Sequence, residues 1–135
     1  MANINTVIEG NLLIVNVTGK LTADEAIAVI KEFYPSGLVK DVIWDLTNGT
    51  MGSISFGGFH EMARTAKMVI SFGARMNGRT VFVGVTDEDH TVNKMYTVIA
   101  EVTGVPVTYK VCRTIDEARN WLKQNVCAIR FSNSD

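Results

Sequence analysis

The residues best suited to chemistry lie in one stretch, WDLTNGTMGSISFGG, from Trp44 to Gly58. It holds the hydroxyls of Thr47, Thr50, Ser53 and Ser55, the carboxylate of Asp45 and four glycines. Hydroxyls interleaved with glycine can hold a phosphate, receive one, or turn a corner. Gly52 and Gly57 have the glycine spacing of a P-loop, but Gly58 and Phe59 stand where Lys and Ser/Thr are required. Without them there is no cation for the β- and γ-phosphates and no hydroxyl for Mg²⁺, which argues against nucleotide hydrolysis. The chain also lacks a dinucleotide fingerprint and a Gly-x-Ser-x-Gly nucleophile elbow.

The stretch is more informative as the start of a helix. Thr22-Ala-Asp-Glu25 and Thr114-Ile-Asp-Glu117 have the form of a capping box, and Thr86-Asp-Glu-Asp89 is a near variant. Each places carboxylates where a helix dipole is positive. The helix that begins near Ser53 has no acid before Glu61. Its free N–H groups, with glycines that allow close approach, suit an anion. Ser53, Ser55, Gly57 and Gly58 are therefore the candidate phosphosite or anion site. The competing reading is that one Ser caps the helix and water satisfies the remaining donors.

Other reactive residues are scattered. His60 and His90 fall on different predicted helices, and neither has a Cys or a second His at zinc-ligand spacing. His60 reads as a surface residue, and the acids of Asp87–His90 read as helix-capping groups. Asp45, at the end of a predicted strand, reads as an acceptor for loop N–H groups; general acid–base work would need a positioned partner. Cys112 reads as a buried thiol and Cys127 as a tail residue. The sequence thus points to no catalytic residue, no cofactor and no metal, and the chain is read as a non-enzyme. On the outer face of the second helix, Arg64, Met68, Phe72 and Arg75 line up at 100° per residue. Arg, Met and aromatic side chains are enriched at interfaces, so these four form a candidate partner-binding patch. A helix that ends before Phe72 would bury that residue instead.

Alternating and helical periodicities place these residues on elements. Asn3–Ile8 and Leu12–Thr18 predict a hairpin turned at Glu9-Gly10-Asn11. A helix follows over Leu21–Tyr34, then a strand over Asp41–Leu46. The second helix carries a stripe of Phe56, Phe59, Ala63, Ala66 and Ile70, widened by Met62 and Val69, and is stopped by Asn77-Gly78. Thr80–Val85 predicts a central parallel strand. Asp87–Thr103 predicts a helix with Val92, Met95, Tyr96 and Ile99 inward. Val105–Cys112 predicts a strand, and Ile115–Gln124 a last helix burying Ile115, Ala118 and Leu122. The tail Asn125–Asp135 alternates weakly, as a short strand or a frayed end. The order ββαβαβαβα predicts an α/β fold: a mixed sheet of about five strands, an N-terminal antiparallel hairpin and flanking helices.

Bulk properties agree with one domain. A chain of 135 residues buries roughly 65–70% of the surface its unfolded form exposes. A net charge of −1, without a run of either sign, lacks the basic field of a nucleic-acid binder. No stretch has the roughly 20 apolar residues of an integral membrane segment. The start, MANINTVIEG, lacks the basic and apolar regions of a signal peptide, and two cysteines make no disulfide framework. A cytoplasmic location is the expectation.

The element order, the strand VIWDL (Val42–Leu46), the Ser/Gly start of the second helix and the ending TIDEARNWL (Thr114–Leu122) together resemble the SpoIIAA-like family, relatives of STAS domains. The likeness runs from about Ile4 to Leu122, which gives a single domain over residues 1–124 and a C-terminal tail over 125–135. It implies a bacterial regulatory module like the anti-sigma-factor antagonists, bound to a protein partner such as a kinase or anti-sigma-type regulator. In that family a Ser at the start of the helix after the third strand is phosphorylated, which points to Ser53 or Ser55. The STAS pattern there is Asp-Ser-Ser-Gly, and this chain departs from it with Gly52-Ser53-Ile54-Ser55. The related CRAL-TRIO fold implies an alternative, a carrier of an apolar small molecule or lipid. Phe56, Phe59, Met62, Met68 and Phe72 are large apolar residues near the second helix that suit such a ligand. The tail and the Met68/Phe72 patch also fit a homodimer, since a symmetry mate is the simplest cover for an exposed apolar patch.

Overall fold

The computed structural model describes residues 2–70 and 75–134, with side chains through Gln124. Strands β1 (Ala2–Glu9) and β2 (Leu12–Lys20) form an antiparallel hairpin, turned at Gly10 with φ +62°. Strands β3 (Asp41–Thr50), β4 (Arg79–Val83) and β5 (Thr108–Cys112) join in parallel, and the sheet order is β1-β2-β3-β4-β5. The connecting helices are α1 (Ala23–Phe33), α2 (Phe56–Ile70) and α3 (Asp87–Thr103), and α4 (Ile115–Ser134) follows β5.

This order fixes the layers. Parallel strands added in one direction through crossovers of a single hand must put every crossover helix on the same face. Accordingly α1, α2 and α3 share the main core, where Ile30, Phe59, Met62, Ala63 and Tyr96 meet Trp44, Leu46 and Phe82 of the sheet. Helix α4 covers the opposite face, with Ala118 and Leu122 against Ile14, Ile43, Val81, Val83 and Cys112. The α/β class, the five-stranded mixed sheet and the element order match the expectation.

Several boundaries differ, each for a physical reason. β3 runs on through Thr50 because its last residues pair with Thr18, Gly19 and Lys20, past an irregularity between Asn16 and Thr18. A side chain at Gly49 would lie 2.7 Å from the Val17 carbonyl oxygen, so only glycine fits there. Much of the stretch read as loop is therefore strand. At the other end, the tail is neither strand nor separate coil: α4 continues to Ser134. β5 begins at Thr108, because Pro106 accepts from the Asn77 N–H instead of joining the ladder.

Helix α2 is described through Ile70, and Arg75 lies in a turn rather than in that helix. This overturns the alignment of Arg75 with the outer face of α2. Arg75 is 0% exposed. Its Nε donates to the Lys40 carbonyl (2.9 Å), and its Nη2 donates to the Arg79 carbonyl (2.7 Å) and the Thr80 hydroxyl (2.9 Å). The guanidinium lies 4.6 Å from the centre of the Tyr34 ring, and the Tyr34 hydroxyl accepts from Trp44 Nε1. Arg75 is thus a buried tie between the starts of β3 and β4, not a partner contact. Phe72 lies outside the described residues.

Candidate functional site

The start of α2 is built from the end of β3. Leu21 N–H donates to the Thr50 carbonyl, and the turn closes with Ile54 N–H on the Met51 carbonyl. Ser55 is the cap: its Oγ accepts from Gly58 N–H at 3.0 Å, and its carbonyl accepts from Phe59 N–H. The first turn contains no acid. Ser53, Ser55 and Gly57 are exposed. The two glycines do different work. A side chain at Gly58 would meet Ile54 Cγ2 at 2.9 Å and Ala23 Cβ at 3.1 Å, so Gly58 lets α2 approach α1. At Gly57 the nearest atom would be Ser55 Oγ at 4.0 Å, which leaves its backbone open.

The sequence did not signal a long-range brace beneath this helix start. Thr50 Oγ1 accepts from Gly52 N–H (2.9 Å) and donates to Asp89 Oδ1 (2.6 Å). Asp89 Oδ2 accepts from the Thr86 hydroxyl, and Thr86 in turn caps α3 by accepting from Asp89 N–H. An α3 carboxylate therefore steadies the loop ahead of α2. The other caps follow their motifs. Thr22 and Glu25 make the full reciprocal box, and Glu25 also accepts from Ala2 N–H. The backbone N–H of Thr22 holds the Glu25 carboxyl below its ordinary value. Thr114 accepts from Glu117 N–H.

Beside the Ser55 cap lies an apolar surface. Phe56, His60, Met95, Val98, Ile99 and Val102 line a depression of about 400 Å³ between α2 and α3. Phe56 is 65% exposed and Val102 82%. Phe56 stands edge-on to His60, with ring centres 4.7 Å apart. Phe56 and Met95 were both expected inward. Phe56 sits in the first turn, beyond the reach of the core, and Met95 lies on the outer flank of α3. Phe59 and Met62 fill the core instead.

Arg64 and Met68 are exposed, as two of the predicted patch residues. They line a second groove, between α1 and α2, with Asp24, Ile27, Lys31, Glu61 and Thr65. Its charges are mixed. Asp45 accepts from the Thr47 N–H and hydroxyl, as a loop acceptor does. Cys112 is buried, and burial pushes its thiol above the ordinary value. Among the described residues, no group of three His, Cys, Asp or Glu side chains is placed to hold a metal. No described helix is long and apolar enough to cross a membrane.

Neither a protein-family model nor a curated protein matches this chain. Solved structures do. The anti-sigma-factor antagonist SpoIIAA in its unphosphorylated form superposes with a TM-score of 0.56 at 14% identity, covering 91% of this chain and 98% of that one. An uncharacterised DUF3478-family protein with a SpoIIAA-like fold, from Shewanella loihica PV-4, gives 0.55 at 18% identity, covering 90% and 95%. Strand order, the single-sided crossover helices and these superpositions agree that the chain has the SpoIIAA-like, STAS-type fold.

Proposed function

We propose that this chain is a non-enzymatic regulatory module that binds a protein partner across the start of α2 and the outer face of α3. The observation that carries the reading is the contact between two unlike surfaces. An acid-free helix start capped by Ser55 adjoins an exposed apolar depression whose first residue is Phe56. A soluble domain does not gather Phe56, Met95, Val98 and Val102 on one surface for its own stability, and such a patch marks a site of interaction. A phosphate on Ser55 or Ser53 adds nearly two negative charges at a helix N-terminus. The N–H groups there donate to the phosphate oxygens without unfolding the helix, while an apolar partner is repelled from Phe56. Likeness to an anti-sigma-factor antagonist supports the fold side of this reading, and the partner would be a kinase or an anti-sigma-type regulator.

The test is native mass spectrometry of the protein purified gently from its source, together with partner capture by variants. Phosphate on Ser53 or Ser55 and a stoichiometric protein partner are expected. Phe56→Ala with Val98→Asp should reduce capture at least tenfold, and Ser55→Asp should act in the same direction. Unmodified protein, with capture unchanged by Ser53→Asp plus Ser55→Asp, would remove the switch.

The depression also favours a second reading, a carrier of an apolar small molecule or lipid tail, because its wall offers only apolar surface. Denaturing the native protein should then release a co-purified lipid. Clean protein from repeated preparations counts against the carrier.

A further inference from the structure

The two edges of the sheet are protected very differently. β5 is short, carries Lys110, and lies between Pro106 and Arg113. These are the usual devices that stop an edge from pairing with another chain. β1 has none of them. It is eight residues long, and Ala2–Ile8 contains no charge, proline or glycine. Among the described residues no strand pairs with its outer side. Its one charge, Glu9, is at the end and is held by Arg119 of α4 at 2.9 Å. Near that end Val7 and Ile8 are exposed, Ile8 by 47%.

We infer that β1 is the docking edge for a second copy of this chain, paired antiparallel across a two-fold axis normal to the sheet. Ala2 N–H donates to Glu25, but beyond it no described strand takes the outward N–H and C=O groups of this edge, and such a row calls for another strand. Self-pairing suits this strand because its uncharged residues bring no like charges together. The two-fold axis restricts the register. It keeps each residue on its own face, so opposed residues must both be even-numbered or both odd-numbered. The register centred on Thr6 sets Ile4 against Ile8 of the copy, which covers the exposed Ile8 with an apolar neighbour. On the other face it sets Asn5 against Val7 and Asn3 against Glu9, where the Asn3 amide can donate to the carboxylate. The product is one continuous ten-stranded sheet, with the α2–α3 depression of each copy left open. This inference does not depend on the proposed function.

Sedimentation equilibrium from low to high micromolar concentration tests it. The mass should rise from 14.8 kDa toward twice that value. Val7→Lys and Ile8→Lys should each weaken association at least tenfold. Both side chains are already exposed, so the circular dichroism of each variant should be unchanged. In a Cys127→Ser background, Thr6→Cys should be joined to its copy by a short bifunctional thiol reagent. A mass fixed at the monomer value overturns the inference. So does a dimer that survives both lysine substitutions, or one in which Thr6→Cys is not crosslinked.

Discussion

Arg75 shows how much one side chain can hold. A buried cation is costly, and it persists where several acceptors converge on it. Here two carbonyls, a hydroxyl and the Tyr34 ring do so. Arg75→Ala should therefore destabilise the fold by about 3 kcal/mol, read by urea denaturation, since it strands those acceptors as well as removing the cation. Arg75→Lys should recover little, because one ammonium cannot reproduce the fork. Glu25 carries a pH dependence. Its carboxyl is held below the ordinary value by Thr22 N–H, so its stabilisation is complete above the unfolded-state value. It is lost as the pH falls through the lower, folded-state value. Wild-type protein should thus lose more stability than Glu25→Gln as a buffer is taken below the carboxylate range, measured by thermal melts at each pH. Both roles differ in legibility. The Thr22–Glu25 box is local and was plain in the sequence. Arg75 was misplaced because its spacing from Arg64 and Met68 continues a helical period, whereas the backbone at Arg75 is a turn. The Thr50–Asp89 bond spans 39 positions, and no pattern of residue types announces it.

Among the elements, α2 carries most of the functional argument, and its two glycines separate packing from access. Gly57→Ala meets no neighbour closer than ordinary contact and should be neutral or should stabilise by about 0.5 kcal/mol, as alanine favours helix. Gly58→Ala drives a methyl into Ile54 and Ala23 and should cost about 1 kcal/mol. Chemical denaturation midpoints distinguish them. If partner binding needs close approach to the open backbone, Gly57→Ala should weaken it without loss of stability. Helical periodicity found the core side of α2 and α3 correctly for Phe59, Ala63, Tyr96 and Ile99. It failed at the flanks, where a stripe widens beyond what the sheet can cover. Phe56 and Met95 fell there, and those two line the apolar depression. The end of β3 was hidden for another reason. Thr47–Thr50 has the composition of a turn, and only pairing with Thr18–Lys20 makes it strand.

For the molecule as a whole, strand–helix alternation gave a mixed sheet with flanking helices, and the observed strand order then assigns each helix its face. Once the strands are parallel and the crossovers share a hand, α1 to α3 must fall on one side and α4 is left to cover the other. That same sheet order bears on how the protein is made. Every strand lies next to the one synthesised just before it, so no pairing has to wait for a distant part of the chain. Only the β1–β2 hairpin closes a short loop; each parallel pairing joins residues 29 to 38 positions apart, and these are the slower steps. On the ribosome the hairpin can form first, and each emerging βα unit then has a finished edge to join. Assembly is directional, and the edge exposed during synthesis moves steadily from β2 to β5. Only when α4 emerges does the second face gain its cover, so a chain stalled before Ile115 would present the apolar row of Ile43, Val81 and Val83 to the quality-control machinery.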